Sequence, residues 1–289
     1  GSAVGQEPEV LERITRWVMR YATVPVIVKL TPNITDITRP GFAAQRGGAN
    51  AVSLINTIKS VMSVDLDTMI PVPNVGGAST NGGYCGPAVK PIALNMVGQL
   101  ARHRDFGLPI SGIGGIGTWK DAAEFIAMGA TSVQVCTAVM HHGYRIVDDM
   151  IDGLSRWMDS KGYRTIQDFA GLATQRFRNW EDLDMNFKVV AAIDPVKCIG
   201  CQLCYIACKD GSHHCIYLPN DGTGKAPDSG YDRVPFVAHH ECTGCNLCSL
   251  VCPVENCITM VEVDRGLPAV TWKQFTSGEA TLPEYAYKH

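Results

Sequence analysis

Eight of the twelve cysteines in this 289-residue chain fall into two quartets of identical spacing. Cys198, Cys201, Cys204 and Cys208 stand at C-x2-C-x2-C-x3-C, and Cys242, Cys245, Cys248 and Cys252 repeat that spacing with Pro253 after the last. Three closely spaced thiolates can wrap one cube of iron and sulfide, while the fourth in each run ligates the other cube. The spacing therefore predicts two 4Fe-4S clusters, one held by Cys198, Cys201, Cys204 and Cys252, the other by Cys242, Cys245, Cys248 and Cys208. Gly200 and Gly244 sit at the same place in both repeats and permit the tight turn, and the fourth Cys of each run is expected to open a helix pointing away. Such a domain moves single electrons.

Structural zinc uses paired C-x2-C knuckles rather than triplets, and a disulfide framework needs an oxidising compartment. Neither matches these runs. Lys209 replaces the Pro that often follows the fourth Cys, but that Pro shapes the chain and is not a ligand. Cys215 and Cys257 each precede an Ile after their quartet and read as buried packing residues. The pairs His141-His142, His213-His214 and His239-His240 read as surface or loop-lining residues, because adjacent side chains diverge in both helix and strand.

A second set of reactive residues closes the apolar runs of the first part of the chain. Lys29 ends one such run and Asn56-Thr57 ends the next. The following two run into Ser111-Gly112-Ile113-Gly114-Gly115 and Cys136-Thr137-Ala138, which offer bare backbone N–H groups before helix starts. In a parallel α/β barrel, the C-terminal strand ends carry the active site and a phosphate site of this kind.

The elements behind these residues follow a βα alternation up to about Arg178. Strands are predicted at 25–30, 51–56, 108–113 and 132–136, buried on both faces. Helices lie near 9–21, 91–103, 118–128 and 144–159, and Gly47-Gly48 and Gly129 suit helix ends. The Gly-, Pro- and Asn-rich connection from Thr57 to Lys90 is long enough to carry function. The expected division is an α/β domain over 1–180, a linker over 181–193 and a ferredoxin-like domain over 194–289.

Composition narrows the classes. With 46% hydrophobic residues, 18% charged residues and a net charge of -3, the chain can bury a core. It has no Lys/Arg run suited to nucleic acid or anionic membrane. No apolar stretch reaches the roughly 20 residues of a membrane span, and no export signal opens the chain. A cytoplasmic protein is expected.

The segments Lys29-Leu30-Thr31-Pro32-Asn33, Asn56-Thr57, Gly86-Pro87-Ala88-Val89-Lys90-Pro91, Ile113-Gly114-Gly115-Ile116 and Gln134-Val135-Cys136-Thr137 together resemble the dihydroorotate and dihydropyrimidine dehydrogenase family of FMN barrels. With two ferredoxin quartets behind them, the chain looks like the catalytic, pyrimidine-binding subunits of bacterial NAD-dependent dihydropyrimidine dehydrogenases. That resemblance implies the C-terminal half of a (β/α)8 FMN barrel followed by an α+β ferredoxin domain of the bacterial type. It places Lys29 against the flavin's pyrimidine edge and Asn56 and Thr57 on the substrate. Gly86 would let the backbone approach the flavin, while Gly114, Gly115, Cys136 and Thr137 would hold its phosphate. The implied reaction is reversible reduction of the 5,6 double bond of uracil or thymine. Electrons would arrive through the clusters from a partner subunit bearing FAD and NAD(H), in a hetero-oligomer.

An eight-stranded barrel needs roughly 250 residues, and four strands precede the cysteine motifs. The family's general acid is a Cys on a loop after the fourth strand, expected upstream of Gly1. No catalytic residue is therefore assigned within the chain, and an isolated fragment is expected to be inactive and to bind FMN poorly. Cys85 lies in a different loop without an evident acid or base partner, so it is not assigned that role. The alternatives are a dihydroorotate-type oxidoreductase acting on another unsaturated substrate and a pure electron-transfer module.

Overall fold

The computed structural model describes residues 2–211, 213–219 and 233–282; Gly1 and the acid expected before it lie outside them. The chain forms two compact units, residues 1–177 and 178–289.

In the first unit β1 (Ile27–Lys29), β2 (Ala51–Leu54), β3 (Ile110–Ile113) and β4 (Ser132–Gln134) make one parallel sheet in sequence order. Before, between and after them run α1 (Pro8–Tyr21), α2 (Thr38–Arg46), α3 (Lys90–Ala101), α4 (Trp119–Ala127), α5 (Thr137–His142) and α6 (Ile146–Lys161). Consecutive parallel neighbours joined through helices are the repeating unit of a (β/α)8 barrel, here a partial one. Its core is the apolar side of these elements: Val52, Leu54, Val97, Leu100 and Phe125 are fully buried. Each contributes about 1.5–3 kcal/mol by leaving water. Close approach needs small residues at the joints: Gly129 has φ +103°, and a Cβ there would stand 2.5 Å from that of Ala101.

The strands are shorter than the sequence pattern, because the apolar residues flanking them continue into loops packed on the same core. The long connection is not featureless. Ile58–Ser60 pairs antiparallel with Gly82–Tyr84, and Ser63–Asp65 with Ile70–Val72. Three-residue strands are too short for alternation to reveal them.

In the second unit β5 (Val189–Ile193) pairs antiparallel with β8 (Ile258–Glu262), and β6 (Ile216–Tyr217) with β7 (Phe236–Val237). With α7 (Leu203–Asp210), α8 (Leu247–Leu250) and α9 (Trp272–Thr276) they give a ferredoxin-like domain. Two sequence expectations are corrected here. The segment 181–193 is not only a linker: its apolar Val189-Val190-Ala191-Ala192-Ile193 run is strand β5, and Val190 and Ala191 are buried against the cysteine motifs. Nor does the fourth Cys open a helix. Helix α7 starts before the third Cys and contains both Cys204 and Cys208, whereas Cys252 lies beyond the end of α8. A C-x3-C spacing is one helical turn, so Cys204 and Cys208 leave the helix on one side.

Candidate functional site

The sheet register sets one polar row across the first unit. Lys29 pairs with Ser53, Ser53 with Ser111, and Ser111 with Ser132, so four strands place these residues side by side. Gln134, two residues beyond Ser132, shares their face. Its Nε2 donates to Ser53 Oγ and Ser111 Oγ, both at 2.9 Å, and Ser132 Oγ donates to Ser111 Oγ at 2.9 Å. Ser53 and Ser111 are buried, and these bonds satisfy hydroxyls that would otherwise cost about 1–3 kcal/mol each.

At the C-terminal ends of the same strands lies a cavity of about 180 Å³. Lys29 and the Asn56-Thr57 pair line it from the first two strand ends, Gly86 from the long connection, and Gly114 with Gly115 from the turn after β3. Cys136 and Thr137, at the start of α5, complete the wall. All eight residues singled out from the sequence for this unit thus meet in one place. Cys85, His141 and His142 border it as well.

Local bonds fix each wall. Thr57 N–H donates to Asn56 Oδ1 at 2.9 Å, which turns the Asn56 amide nitrogen away from its own backbone. Asn33, from the Thr31-Pro32-Asn33 turn, donates to the Thr57 carbonyl at 3.2 Å and accepts from Lys59 N–H at 2.8 Å, tying the loops after β1 and β2 together. Gly83 lets the hairpin strand pass Thr57: a Cβ there would stand 2.3 Å from Thr57 Oγ1.

On the opposite wall Gly114 and Gly115 have φ +132° and +76°. A Cβ on Gly115 would stand 2.9 Å from both Gly86 O and Lys90 N. Among the described residues neither glycine N–H has an intrachain acceptor, so both remain available to an anion at this turn. Paired free N–H groups at a glycine turn suit a phosphate, and the apolar strand ends beside them suit a flat ring. Behind the turn Lys90 Nζ bonds Asp121 Oδ1 at 2.5 Å and Glu124 Oε2 at 2.8 Å. Asp121 Oδ2 in turn accepts from Gly117 N–H, Thr118 N–H and Thr118 Oγ1. Bonds to Asp121 and then Glu124 hold the Lys90 ammonium above its ordinary pKa, outweighing burial. Burial lifts the Asp121 carboxyl, but the bonds from Lys90, Gly117 and Thr118 together leave it below its ordinary value.

In the second unit two hollows hold the quartets in crossed sets. Cys198, Cys201, Cys204 and Cys252 line one, and Cys208, Cys242, Cys245 and Cys248 line the other. The two repeats share their backbone: Gly200 and Gly244 have φ +72° and +76°, and Gln202 and Asn246 have φ +63° and +66°. The thiols stand around each hollow rather than converging on a point; among the described residues no three Cys, His or carboxylate groups gather as a single ion requires. Burial pushes the Cys204 thiol up to about 12 and raises that of Cys248. The crossed sets and the matching turns fit two cubes of iron and sulfide.

Sequence reasoning missed Ser53, Ser111 and Gln134, whose signal was a polar residue at one phase of each apolar strand. It also passed over Lys90 and Asp121, which are 31 residues apart and meet only in three dimensions. Each hollow also contains a fifth thiol, Cys257 in the first and Cys215 in the second.

Comparison with known proteins agrees with both units. Residues 1–158 match the family described as dihydroorotate dehydrogenase, and residues 191–260 match the 4Fe-4S dicluster domain. The chain is 46% identical over 266 residues to the NAD-dependent dihydropyrimidine dehydrogenase subunit PreA of Escherichia coli, covering 91% of this chain and 62% of that protein. It is 45% identical over 187 residues to the chloroplastic dihydropyrimidine dehydrogenase (NADP(+)) of Arabidopsis thaliana, covering 63% and 44%. To the catalytic subunit of dihydroorotate dehydrogenase B (NAD(+)) of Thermococcus kodakarensis it is 41% identical over 175 residues, covering 61% and 56%. The chain thus spans less than two thirds of the length of each of these relatives. It belongs to the dihydroorotate dehydrogenase family, and a 4Fe-4S dicluster domain follows the family's barrel in the same chain.

Proposed function

We propose that the chain forms the pyrimidine-reducing part of a dihydropyrimidine dehydrogenase, with FMN in the strand-end cavity and two 4Fe-4S clusters in the ferredoxin unit. What supports this most is that all eight residues implied for FMN and substrate line one cavity, in a chain that also carries the dicluster domain. When bound, FMN supplies reversible two-electron chemistry, and the clusters supply the single-electron relay that feeds it. Lys29 fixes a positive charge where a reduced, anionic ring needs one. Asn56, with its Oδ1 occupied by Thr57 N–H, presents its amide N–H groups to a pyrimidine carbonyl, and the Thr57 hydroxyl can donate or accept beside it. Gly114 and Gly115 give two N–H donors to the phosphate, with Cys136 and Thr137 beside them, and Gly86 keeps the facing wall free of side chain.

The substrate in this reading is uracil or thymine, whose 5,6 double bond takes up two electrons and two protons. A partner subunit bearing FAD and NAD(H) exchanges electrons with the clusters in a cytoplasmic hetero-oligomer, and neither nucleic acid nor membrane takes part. No described helix is long and apolar enough to cross a membrane. The 41% identity to a dihydroorotate dehydrogenase subunit favours a second reading, with orotate as the ring reduced.

The test is anaerobic, with the chain alone and with the chain extended to the length of its dihydropyrimidine dehydrogenase relatives. Flavin uptake is read by absorbance, and products of uracil, thymine and orotate by chromatography. Uptake of FMN and formation of dihydrouracil by the extended protein are expected. Dihydroorotate as the sole product would replace this reading with the second, and cluster reduction without any flavin uptake would leave only an electron-transfer module.

A further inference from the structure

Both cluster hollows contain one thiol more than a cube requires. Cys215 lines the hollow of Cys208, Cys242, Cys245 and Cys248, and Cys257 lines that of Cys198, Cys201, Cys204 and Cys252. Each is 3% exposed. The two follow their quartets at different distances, seven residues after Cys208 and five after Cys252, yet each reaches a hollow lined by four quartet thiols. In the hollow of Cys208 the extra thiol stands directly beside the crossing Cys. Cys215 Sγ lies 3.5 Å from Cys208 Sγ, and Cys215 N–H donates to the same sulfur at 3.4 Å. Cys257 lines the same hollow as Cys252, and its thiol donates to the Asp194 carbonyl at 3.8 Å.

The backbone holds these thiols in place. The Cys215 carbonyl accepts from Ala238 N–H at 2.8 Å, and the Cys257 carbonyl from Asp194 N–H at 2.8 Å. The three triplet ligands of each set are bound to one another by a tight turn, whereas the crossing ligand arrives alone from the other motif. It is the ligand whose loss leaves the rest of the set intact, and for Cys208 it is the one with a second sulfur 3.5 Å away.

Resting on the two-cluster reading above, we propose that Cys215 and Cys257 are reserve ligands: each takes over the iron of the crossing ligand in its hollow when that ligand is lost. In the intact protein the exchange is balanced and involves no change of oxidation state. The iron bond to Cys208 sulfur breaks as the bond to Cys215 sulfur forms, and the Cys215 proton passes to the departing sulfur. When Cys208 is absent, the proton leaves to solvent as the thiolate binds.

The experiment measures iron and sulfide per full-length chain after anaerobic reconstitution, together with the EPR spectrum of the reduced protein. Wild type should hold about eight iron atoms, which tests the two-cluster reading on its own. Cys208→Ala should keep about eight, with an altered EPR signal from one cluster only, and Cys215→Ala should keep about eight. The double variant Cys208→Ala/Cys215→Ala should fall to about four, half the wild-type value. Cys252→Ala and Cys257→Ala, singly and together, should repeat the pattern for the other cluster. If Cys208→Ala alone falls to half its iron or less, or the double variant keeps all of it, the reserve role is wrong. A wild-type value of about four or none would instead refute the two-cluster reading.

Discussion

Replacing Lys90 by Met keeps the aliphatic stem and removes the charge that holds Asp121 and Glu124 behind the glycine turn. The Lys90 and Asp121 side chains are 25% and 14% exposed, so their bond at 2.5 Å lies between a surface pair and a buried one. Fully exposed pairs are worth about 0.2–1 kcal/mol, and hydrogen bonds to charged groups about 1.5–3 kcal/mol. The Glu124 arm is half-exposed and belongs at the low end. Asp121 also keeps its donors at Gly117 and Thr118, so the variant does not strand a bare carboxylate. The expected loss is about 1.5–2 kcal/mol, or a fall of about 3–8 °C in the melting temperature of the α/β unit. Denaturation of wild type, Lys90→Met, Asp121→Asn and the double variant should give a coupling near 1 kcal/mol. The pH dependence has a defined sign. Asp121 is depressed, so its contribution is present above the ordinary carboxylate value of about 3.9 and fades as pH falls through its lower folded value. The gap between wild type and variant should therefore close in acid. A coupling under about 0.3 kcal/mol, or a gap that persists unchanged at low pH, would refute the argument.

The remaining expectations address the proposed roles directly. In the extended, flavin-loaded protein, Lys29→Ala should slow flavin reduction about a hundredfold while uracil affinity changes little, whereas Asn56→Ala should mainly raise the Michaelis constant for uracil; stopped-flow and steady-state kinetics separate the two. Gly115→Ala should weaken FMN binding by about tenfold or more, because the residue must hold φ +76° with Lys90 N and Gly86 O 2.9 Å from the new Cβ; fluorescence titration measures it. Gly244→Ala places a Cβ 2.7 Å from Val189 O, so iron at the second quartet should drop while iron at the first is largely kept. Equal loss from both clusters would mean that the turn shapes the whole domain.

The cysteines proposed as cluster ligands were legible in the sequence because iron-sulfur ligation fixes both residue type and spacing, and only their crossed grouping around two hollows depends on the fold. The residues lining the strand-end cavity were legible for a similar reason. Lys29, Asn56-Thr57 and Gly114-Gly115 all end apolar runs, where an α/β sheet gathers its chemistry. What stayed hidden rests on register and on contacts across long separations. No local pattern announces that Ser53, Ser111 and Ser132 stand level with Lys29, or that Asn33 ties down Thr57. Strand β5, longer than any strand of the first unit, was hidden by its two alanines, which are depleted in strands. Cys215 and Cys257 were correctly read as buried. That Cys215 faces Cys208 depends on the fold and has no local signal.

On the proposed two-cluster reading, the crossing of Cys208 and Cys252 also governs when the ferredoxin unit can mature. A chain cut between Cys208 and Cys242 would leave each piece with three ligands for one cube and a stray fourth. The same holds for a chain still emerging from the ribosome. Cys248 completes one set and Cys252, four residues later, completes the other. Neither site exists as a full set of ligands until nearly the whole cysteine-bearing segment has been made, and then both become available almost together. Each motif thus supplies three ligands to one cube and one to the other, so a change at a crossing position is felt at the neighbouring motif's site.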